Sequence, residues 1–211
     1  AARRSPPASA RLTTRGPPMR IIVLGAAAGG GFPQWNSNSA ACARVRRGDP
    51  AARAATQASI AISADGERWR LVNASPDIRA QLEATPAIRP QGDDPLRGSR
   101  IDGVILTNAD VDAVAGLLTL REKTGFELHG HARALGQIAA HPIFNVVDPD
   151  LVPRKPLALE MPTDISGLTV TAFAAPGKVA LYAEDAAAAE FGSADGDVIG
   201  LDVVDAKGRR M

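Results

Sequence analysis

The chain is 211 residues long, 45% hydrophobic, and carries a formal net charge of +1. That is enough apolar sequence for one buried core, and near-neutrality gives no general case for nucleic-acid or membrane binding. No apolar run approaches the roughly 20 residues of a membrane span, and the only cysteine, Cys42, excludes an internal disulfide or a cysteine-rich metal knuckle and leaves a reducing, cytoplasmic compartment as the default.

Residues 1–18, AARRSPPASARLTTRGPP, are rich in arginine and proline and hold neither an acid nor an apolar core. This is not a secretory signal, and it reads as a disordered leader ahead of a domain over residues 19–211. RIIVLG, residues 20–25, predicts a short buried strand. The following GAAAGGGFPQWN lacks the middle glycine of a dinucleotide fingerprint and the lysine of a phosphate loop, so it reads as a flexible loop in which Gly29, Gly30 and Gly31 permit positive φ. TQASIAIS and RWRLVN, joined through Asp65-Gly66, predict a hairpin.

In NASPDIRAQLEA, Ser75 has the chemistry of an N-cap, Pro76 suits the first helical position, and Ile78 and Leu82 share a face. A Pro/Gly-rich connector spans 85–99. IDGVILT predicts a buried strand, and apolar residues from Val111 to Leu120 recur at helical spacing. FELHG predicts a strand and ARALGQIAA a helix. LTVTAFAA and KVALYA read as strands flanking Pro176-Gly177, and the acidic run over 183–197 as a solvated loop. DVIGLDVVDAKGRRM predicts a strand over Val198–Val204 and a turn at Asp205–Gly208. A hairpin's second arm is then expected, and because the chain stops instead, it is expected to be cut short. Hairpins at both ends with helices between them predict mixed sheets covered by helices, an α/β layered sandwich.

The chemistry concentrates at LTNADVDAVAGLL, residues 106–118. Polar residues at the carboxyl end of a buried strand are where layered α/β proteins place their sites. Asp110 and Asp112, spaced by two, can face one way in an extended loop and meet on a cation. Equally, an aspartate at a helix start satisfies free backbone N–H groups and the helix dipole, worth about 1 kcal/mol. The spacing leaves both readings open.

The stretch LTNADVDAVAGLLTLRE resembles the metal loop of the metallo-β-lactamase superfamily, His-x-His-x-Asp-His after a strand. Together with RIIVLGAAAGGGFPQWN, GDPAAR, LVNASPDIR, HPIFNVVDPDLVPRKPLAL and APGKVALY it is most similar to one branch, the pyrroloquinoline quinone (PQQ) biosynthesis protein B family. The resemblance runs through residues 19–204. It implies an αβ/βα sandwich of mixed sheets. By position it puts Asn108 and Asp110 where the superfamily has its first two histidines, a substitution usual in this branch, and Asp112 at the retained aspartate. Asp110 and Asp112 are then the metal ligands, with Asn108 and Asp77 as neighbouring catalytic or orienting groups; Asp77 equally suits a first-turn helix acid.

Three departures stand out. Ala113 occupies the place of the loop's final histidine. Ser37, Ser39 and Cys42 stand where the family has a Cys-x-Cys-x-x-Cys zinc cluster. The second half that completes the superfamily's metal site is expected to be absent from a chain that stops after the strand near Val204.

The resemblance implies a role in making PQQ. Either the protein carries PQQ, a triply acidic aromatic, or its Glu-Tyr-derived precursor, with transport towards the periplasm, or it is an iron-dependent hydroxylase of the precursor's tyrosine ring. A remnant without function is the third reading. Iron or zinc is the family's implied metal, and other proteins of the PQQ pathway are its implied partners. The ligand losses weaken the enzyme reading for this chain. Outside this set, His129 and His131 have ligand-like spacing but read as surface or structural residues, and His141 reads as structural. Trp35 and Trp69 read as packing residues, with stacking on Trp35 as the alternative. No serine sits in a nucleophile elbow.

Overall fold

The computed structural model describes residues 18–92, 94–183 and 194–211. The leader up to Pro17 and most of the acidic run, residues 184–193, lie outside the described residues.

A mixed six-stranded sheet forms the centre. β1 (Arg20–Gly25), β2 (Ser59–Ser63) and β3 (Trp69–Val72) run antiparallel, and β4 (Ile101–Leu106), β5 (Glu127–Gly130) and β6 (Arg154–Pro156) continue from β3 in parallel, in the order β1-β2-β3-β4-β5-β6. A second, antiparallel sheet holds β7 (Thr163–Ile165), β8 (Leu168–Ala174) and β9 (Ile199–Asp205). The helices are α1 (Ala40–Arg46), α2 (Ile78–Glu83), α3 (Val111–Val114) and α4 (Ala132–Ala140).

Strand periodicity explains the layers. Ala61, Leu71, Val104, Leu106 and Leu128 point from the central sheet to one face, where Ile78 of α2, Val114 of α3, Leu117, and Leu135 and Ile138 of α4 pack on them. The intervening Ile62, Val72 and Ile105 point to the opposite face and meet Ile165, Leu168, Val170 and Val203 of the second sheet. The central strands are therefore apolar on both faces and read as continuous runs rather than alternating ones. A fully buried aliphatic side chain contributes about 1.5–3 kcal/mol, so these two clusters supply the main driving force.

Several expectations are corrected. β1 is an edge strand rather than a buried one. Ile22 and Leu24 pack inwards, while Ile21 and Val23 are exposed. Residue 75 does not cap α2. Ser75 is fully buried and bonds Gln81 at 3.0 Å, and the helix starts at Ile78 after Asp77. The helix expected through Leu120 is short: α3 tightens after Val114 into a 3-10 turn, Ala115–Leu118. KVALYA is not a strand; Leu181–Ala183 is a 3-10 turn. Asp197, expected in a solvated loop, is buried and takes a bidentate pair from Arg133, with Nε–Oδ1 at 2.6 Å and Nη2–Oδ2 at 3.2 Å. After β9 the chain does turn back: Asp205 takes the Arg209 guanidinium and the backbone N–H of Met19, and Met211 bonds Val203 in both directions.

Of the two readings for His129, surface or structural, the structural one holds. The residue is 5% exposed on β5, with Nε2 3.1 Å from Glu127. On β3 the buried Arg70 crosses Gly103, where a Cβ would lie 2.9 Å from its Nε, to reach Asp102 on β4 at 3.0 Å and Glu127 at 3.6 Å. Burial pushes the His129 pKa down, opposed by Glu127 and reinforced by Arg70 and Lys155 of β6. The folded state therefore prefers neutral His129. Above the unfolded value of about 6.5 this costs nothing. Below it the unfolded chain takes up a proton that the folded chain resists, and stability falls. Melting temperature is expected to drop between pH 7 and pH 5, with a shallower drop in His129→Asn. Equal slopes in thermal melts of the two proteins would show that His129 is not the group responsible.

Candidate functional site

The site is built on the exits of β3 and β4, adjacent parallel strands. Asn73 follows β3 with φ +62°, a left-handed conformation that asparagine tolerates better than most residues. Its Oδ1 accepts the Thr107 N–H at 2.9 Å, and its Nδ2 donates to Thr107 Oγ1 at 2.9 Å. Its own N–H donates to Ile105 O, Ala74 N–H to Ala113 O at 2.7 Å, and Gly116 N–H to Ala74 O at 2.8 Å. The approach at Gly116 is so close that a Cβ there would sit 2.4 Å from Ser75 O. The loop carrying the aspartates is thus stitched to the β3 exit at both ends.

Within that loop each expected site residue has a defined place. Asn108 Oδ1 accepts the Asp110 N–H at 2.9 Å, turning the chain into α3. Asp110 occupies the N-cap position, but its side chain makes no capping bond; its Oδ1 instead takes the Leu181 N–H at 3.4 Å. Asp112 lies in the first turn of α3 and faces the glycine loop, with Oδ2 3.5 Å from where a Cβ on Gly29 would be. Ala113 is 3% exposed, a methyl packed into the core beneath.

Asp77 stands on the other side of the glycine loop. Its Oδ2 accepts Gln57 N–H at 2.9 Å and Gln57 Nε2–H at 3.2 Å, and the Gln57 Oε1 accepts the Gly30 N–H at 3.1 Å. Gln81 steadies this from behind, donating to Gln57 O at 2.7 Å and to Thr56 Oγ1 at 3.0 Å. Beside Asp77, a cavity of about 290 Å³ opens between Gly30–Pro33 and Ala54–Thr56. Gln57, Gln81 and Asn73 were not singled out from sequence. Asn73 had one legible signal, an asparagine at a strand exit, where a positive φ is common.

A strap closes the opposite side. The Tyr182 hydroxyl donates to Ala109 O at 2.6 Å, and His141 stands edge-on to its ring with centroids 4.9 Å apart. Ala180 and Ala183 pack on Ala109 and Ala134. Burial, and then the Asp110 charge, push the Tyr182 pKa up. His131, expected as a surface or structural residue, follows β5 at the same carboxyl edge. It caps α4 by accepting the Arg133 N–H on Nδ1 at 3.3 Å, and Gly196 lies against its ring.

These donors do not fit an iron or zinc ion. One Asp110 oxygen takes a backbone N–H, the Asn108 oxygen takes another, Asp112 faces the glycine loop, and position 113 supplies no imidazole. Among the described residues no three His, Cys, Asp or Glu side chains gather as a metal-holding group. Ser37, Ser39 and Cys42 do come together. Hydrogen bonds from Ser39 and then Ser37 hold the buried Cys42 thiol below its usual pKa, and Ser39 Oγ accepts Cys42 N–H at 3.3 Å. Two hydroxyls and one thiol nevertheless make a poor zinc set, since structural zinc wants several thiolates or imidazoles.

Comparison with known proteins accords with this architecture. Residues 68–211 match the family described as the beta-lactamase superfamily domain. The chain is 49% identical over 193 residues to the coenzyme PQQ synthesis protein B of Xanthomonas euvesicatoria pv. vesicatoria (strain 85-10), covering 92% of this chain and 64% of that protein. With the Gluconacetobacter diazotrophicus protein of the same name it shares 53% identity over 192 residues, 88% of this chain and 62% of the relative. The 1.98 Å crystal structure of zinc-bound PqqB from Methylobacterium extorquens aligns with a TM-score of 0.84 at 45% identity, covering 90% of this chain and 62% of that one. The metallo-beta-lactamase fold protein YhfI from Bacillus subtilis aligns with a TM-score of 0.55 at 15% identity over 89% of this chain and 58% of that one, a likeness of fold alone. The chain spans less than two thirds of the length of each of these proteins.

If the serines are what disables the thiolate set, Ser37→Cys with Ser39→Cys is expected to create tight zinc binding at Cys42. The measurement is zinc retained per chain after passage through a weak chelator: near one equivalent for the variant and none for the parent. A variant that retains none would show that the local backbone, rather than the lost thiolates, prevents coordination.

Proposed function

The chain belongs to the beta-lactamase superfamily, and from that membership and its likeness to coenzyme PQQ synthesis protein B we propose that it serves PQQ biosynthesis by holding PQQ or its Glu-Tyr-derived precursor. The observation that carries this reading is identity of about half over nine tenths of the chain, far beyond a shared fold. Such a role suits a cytoplasmic protein, and no helix among the described residues is long and apolar enough to cross a membrane. Other proteins of the PQQ pathway, and a transport step towards the periplasm, are the partners and the destination this role would involve.

Binding is favoured over chemistry for a physical reason. An iron hydroxylase needs at least three protein ligands with open positions for dioxygen. The Asp loop offers two carboxylates, Asp110 and Asp112, aimed at different neighbours. In the binding reading, Asn108 and Asp77 are orienting groups. Asn108 sets the turn into α3, and Asp77 with Gln57 fixes the glycine loop that walls the cleft.

Calorimetric titration of the chain with PQQ tests the proposal. Saturable one-to-one binding at micromolar concentrations is the expected result. Absence of binding at high micromolar PQQ would leave the chain without this role, and iron-dependent turnover of a Glu-Tyr substrate would replace it with the hydroxylase reading.

A further inference from the structure

The strap over the Asp loop, residues 175–183, is firm at its base and lightly held beyond it. Ala175 N–H donates to Val198 O at 3.0 Å, and a Cβ on Gly177 would lie 2.4 Å from the Val198 side chain. The next residue, Ile199, donates its N–H to Thr107 O at 2.8 Å, so the base is tied to the same strand exit as the Asp loop. Farther out the packing is thin. Ala180 is 4% exposed, but Leu181 is 69% and Tyr182 38% exposed. What the outer strap buries is alanine methyl surface, Ala180 and Ala183 against Ala109 and Ala134. A segment fastened for stability buries its large side chains; one with so few buried apolar contacts opens at low cost.

What the outer strap does hold is chemically specific. Among the described residues, 179–183 make two hydrogen bonds with the body, and both fall on consecutive residues of the Asp loop. The Leu181 N–H meets Asp110 Oδ1 at 3.4 Å, which is long for such a bond. The Tyr182 hydroxyl donates to Ala109 O at 2.6 Å, and the His141 ring stands edge-on to the phenol with centroids 4.9 Å apart. A peptide N–H on a carboxylate, a phenol on a carbonyl and an aromatic wall across the ring are the contacts a tyrosyl peptide would make with this edge. Here the chain supplies them to itself.

We propose that the strap is an autoinhibitory contact: the Leu181 N–H and the Tyr182 phenol occupy the acceptors on Asp110 and Ala109, and a ligand bringing its own phenol and amide N–H enters by displacing them. This rests on the reading that the chain holds the Glu-Tyr-derived precursor and adds how access to that site is regulated. A site covered by its own chain binds with an affinity reduced by the fraction of molecules in which it is open. Weakening the cover therefore raises affinity. A strap that only braces the Asp loop predicts the reverse, because its loss would loosen the loop and leave affinity the same or lower.

The test is calorimetric titration of N-acetyltyrosinamide, of N-acetylphenylalaninamide, which lacks the hydroxyl, and of PQQ into the parent, Tyr182→Phe and Tyr182→Ala. Thermal melts verify folding, and Tyr182→Phe, which keeps a ring against His141, carries the comparison if Tyr182→Ala does not fold. N-acetyltyrosinamide is expected to bind about fivefold tighter to Tyr182→Phe than to the parent, the effect of one hydrogen bond, and about tenfold tighter to Tyr182→Ala. N-acetylphenylalaninamide is expected to gain less in both. Affinity for N-acetyltyrosinamide that is unchanged or lower in both variants would overturn the autoinhibitory strap, and PQQ binding by the same chains would show that the functional reading survives it. Equal gains for the two amides would overturn the pairing of a ligand phenol with Ala109 O. Chains that bind neither amide nor PQQ would remove the strap's role together with the functional reading beneath it.

Discussion

The side chain of Asn73 bonds both the N–H and the hydroxyl of Thr107, and the arrangement at the carboxyl edge of the central sheet depends on that contact. β3 and β4 are parallel neighbours whose ladder ends near Val72 and Ile105. Beyond that point no sheet bonding holds the two chains together. The Asn73 side chain takes over, followed by the Ala74–Ala113 and Ala74–Gly116 backbone bonds. Each such bond contributes about 1 kcal/mol net. The left-handed backbone at Asn73 costs energy that only a short polar residue or glycine keeps small. The result is an Asp loop whose path is set from the outside, before any ligand contributes.

That constraint separates geometry from chemistry in this chain. The framework at this sheet edge is well defined: strand exit, clamped loop, short helix, and glycine loop steadied by Gln57 and Asp77. The groups that would use it for a metal are reduced. A buried methyl stands at Ala113, and two hydroxyls flank the thiol of Cys42. The contacts that stabilise this framework are backbone and core contacts, which do not depend on a metal ion.

Much of the fold was legible. The β2–β3 hairpin announced itself through Asp65-Gly66, and the buried central strand β4 through the continuous apolar run of IDGVIL. What could not be read are features decided by tertiary neighbours. The continuous apolar run of RIIVLG places β1 in a sheet but does not say that it lies at the edge. The apolar spacing from Val111 to Leu120 fits a helix, yet the backbone of Ala74 and Ser75 presses on Gly116 and the helix tightens there. KVALYA has strand composition, but its Tyr182 finds Ala109 instead of a neighbouring strand. In the site, residue types identified Asp110 and Asp112; their directions follow from Leu181 and Gly29, which lie far away in sequence. Packing, the first of the two readings for Trp35, fails because the indole is held outwards on a turn pinned by Arg46, which residue type alone does not announce.

Site-resolved hydrogen exchange on Asn73→Ala addresses the clamp most directly. The account expects the Thr107, Ala113 and Gly116 amides to exchange at least about tenfold faster than in the parent, with the Val104 and Leu128 amides of the central strands unchanged. Parent-like protection at Thr107 and Ala113 in a folded Asn73→Ala protein would contradict it, because the loop would then hold its path without the side chain said to set it.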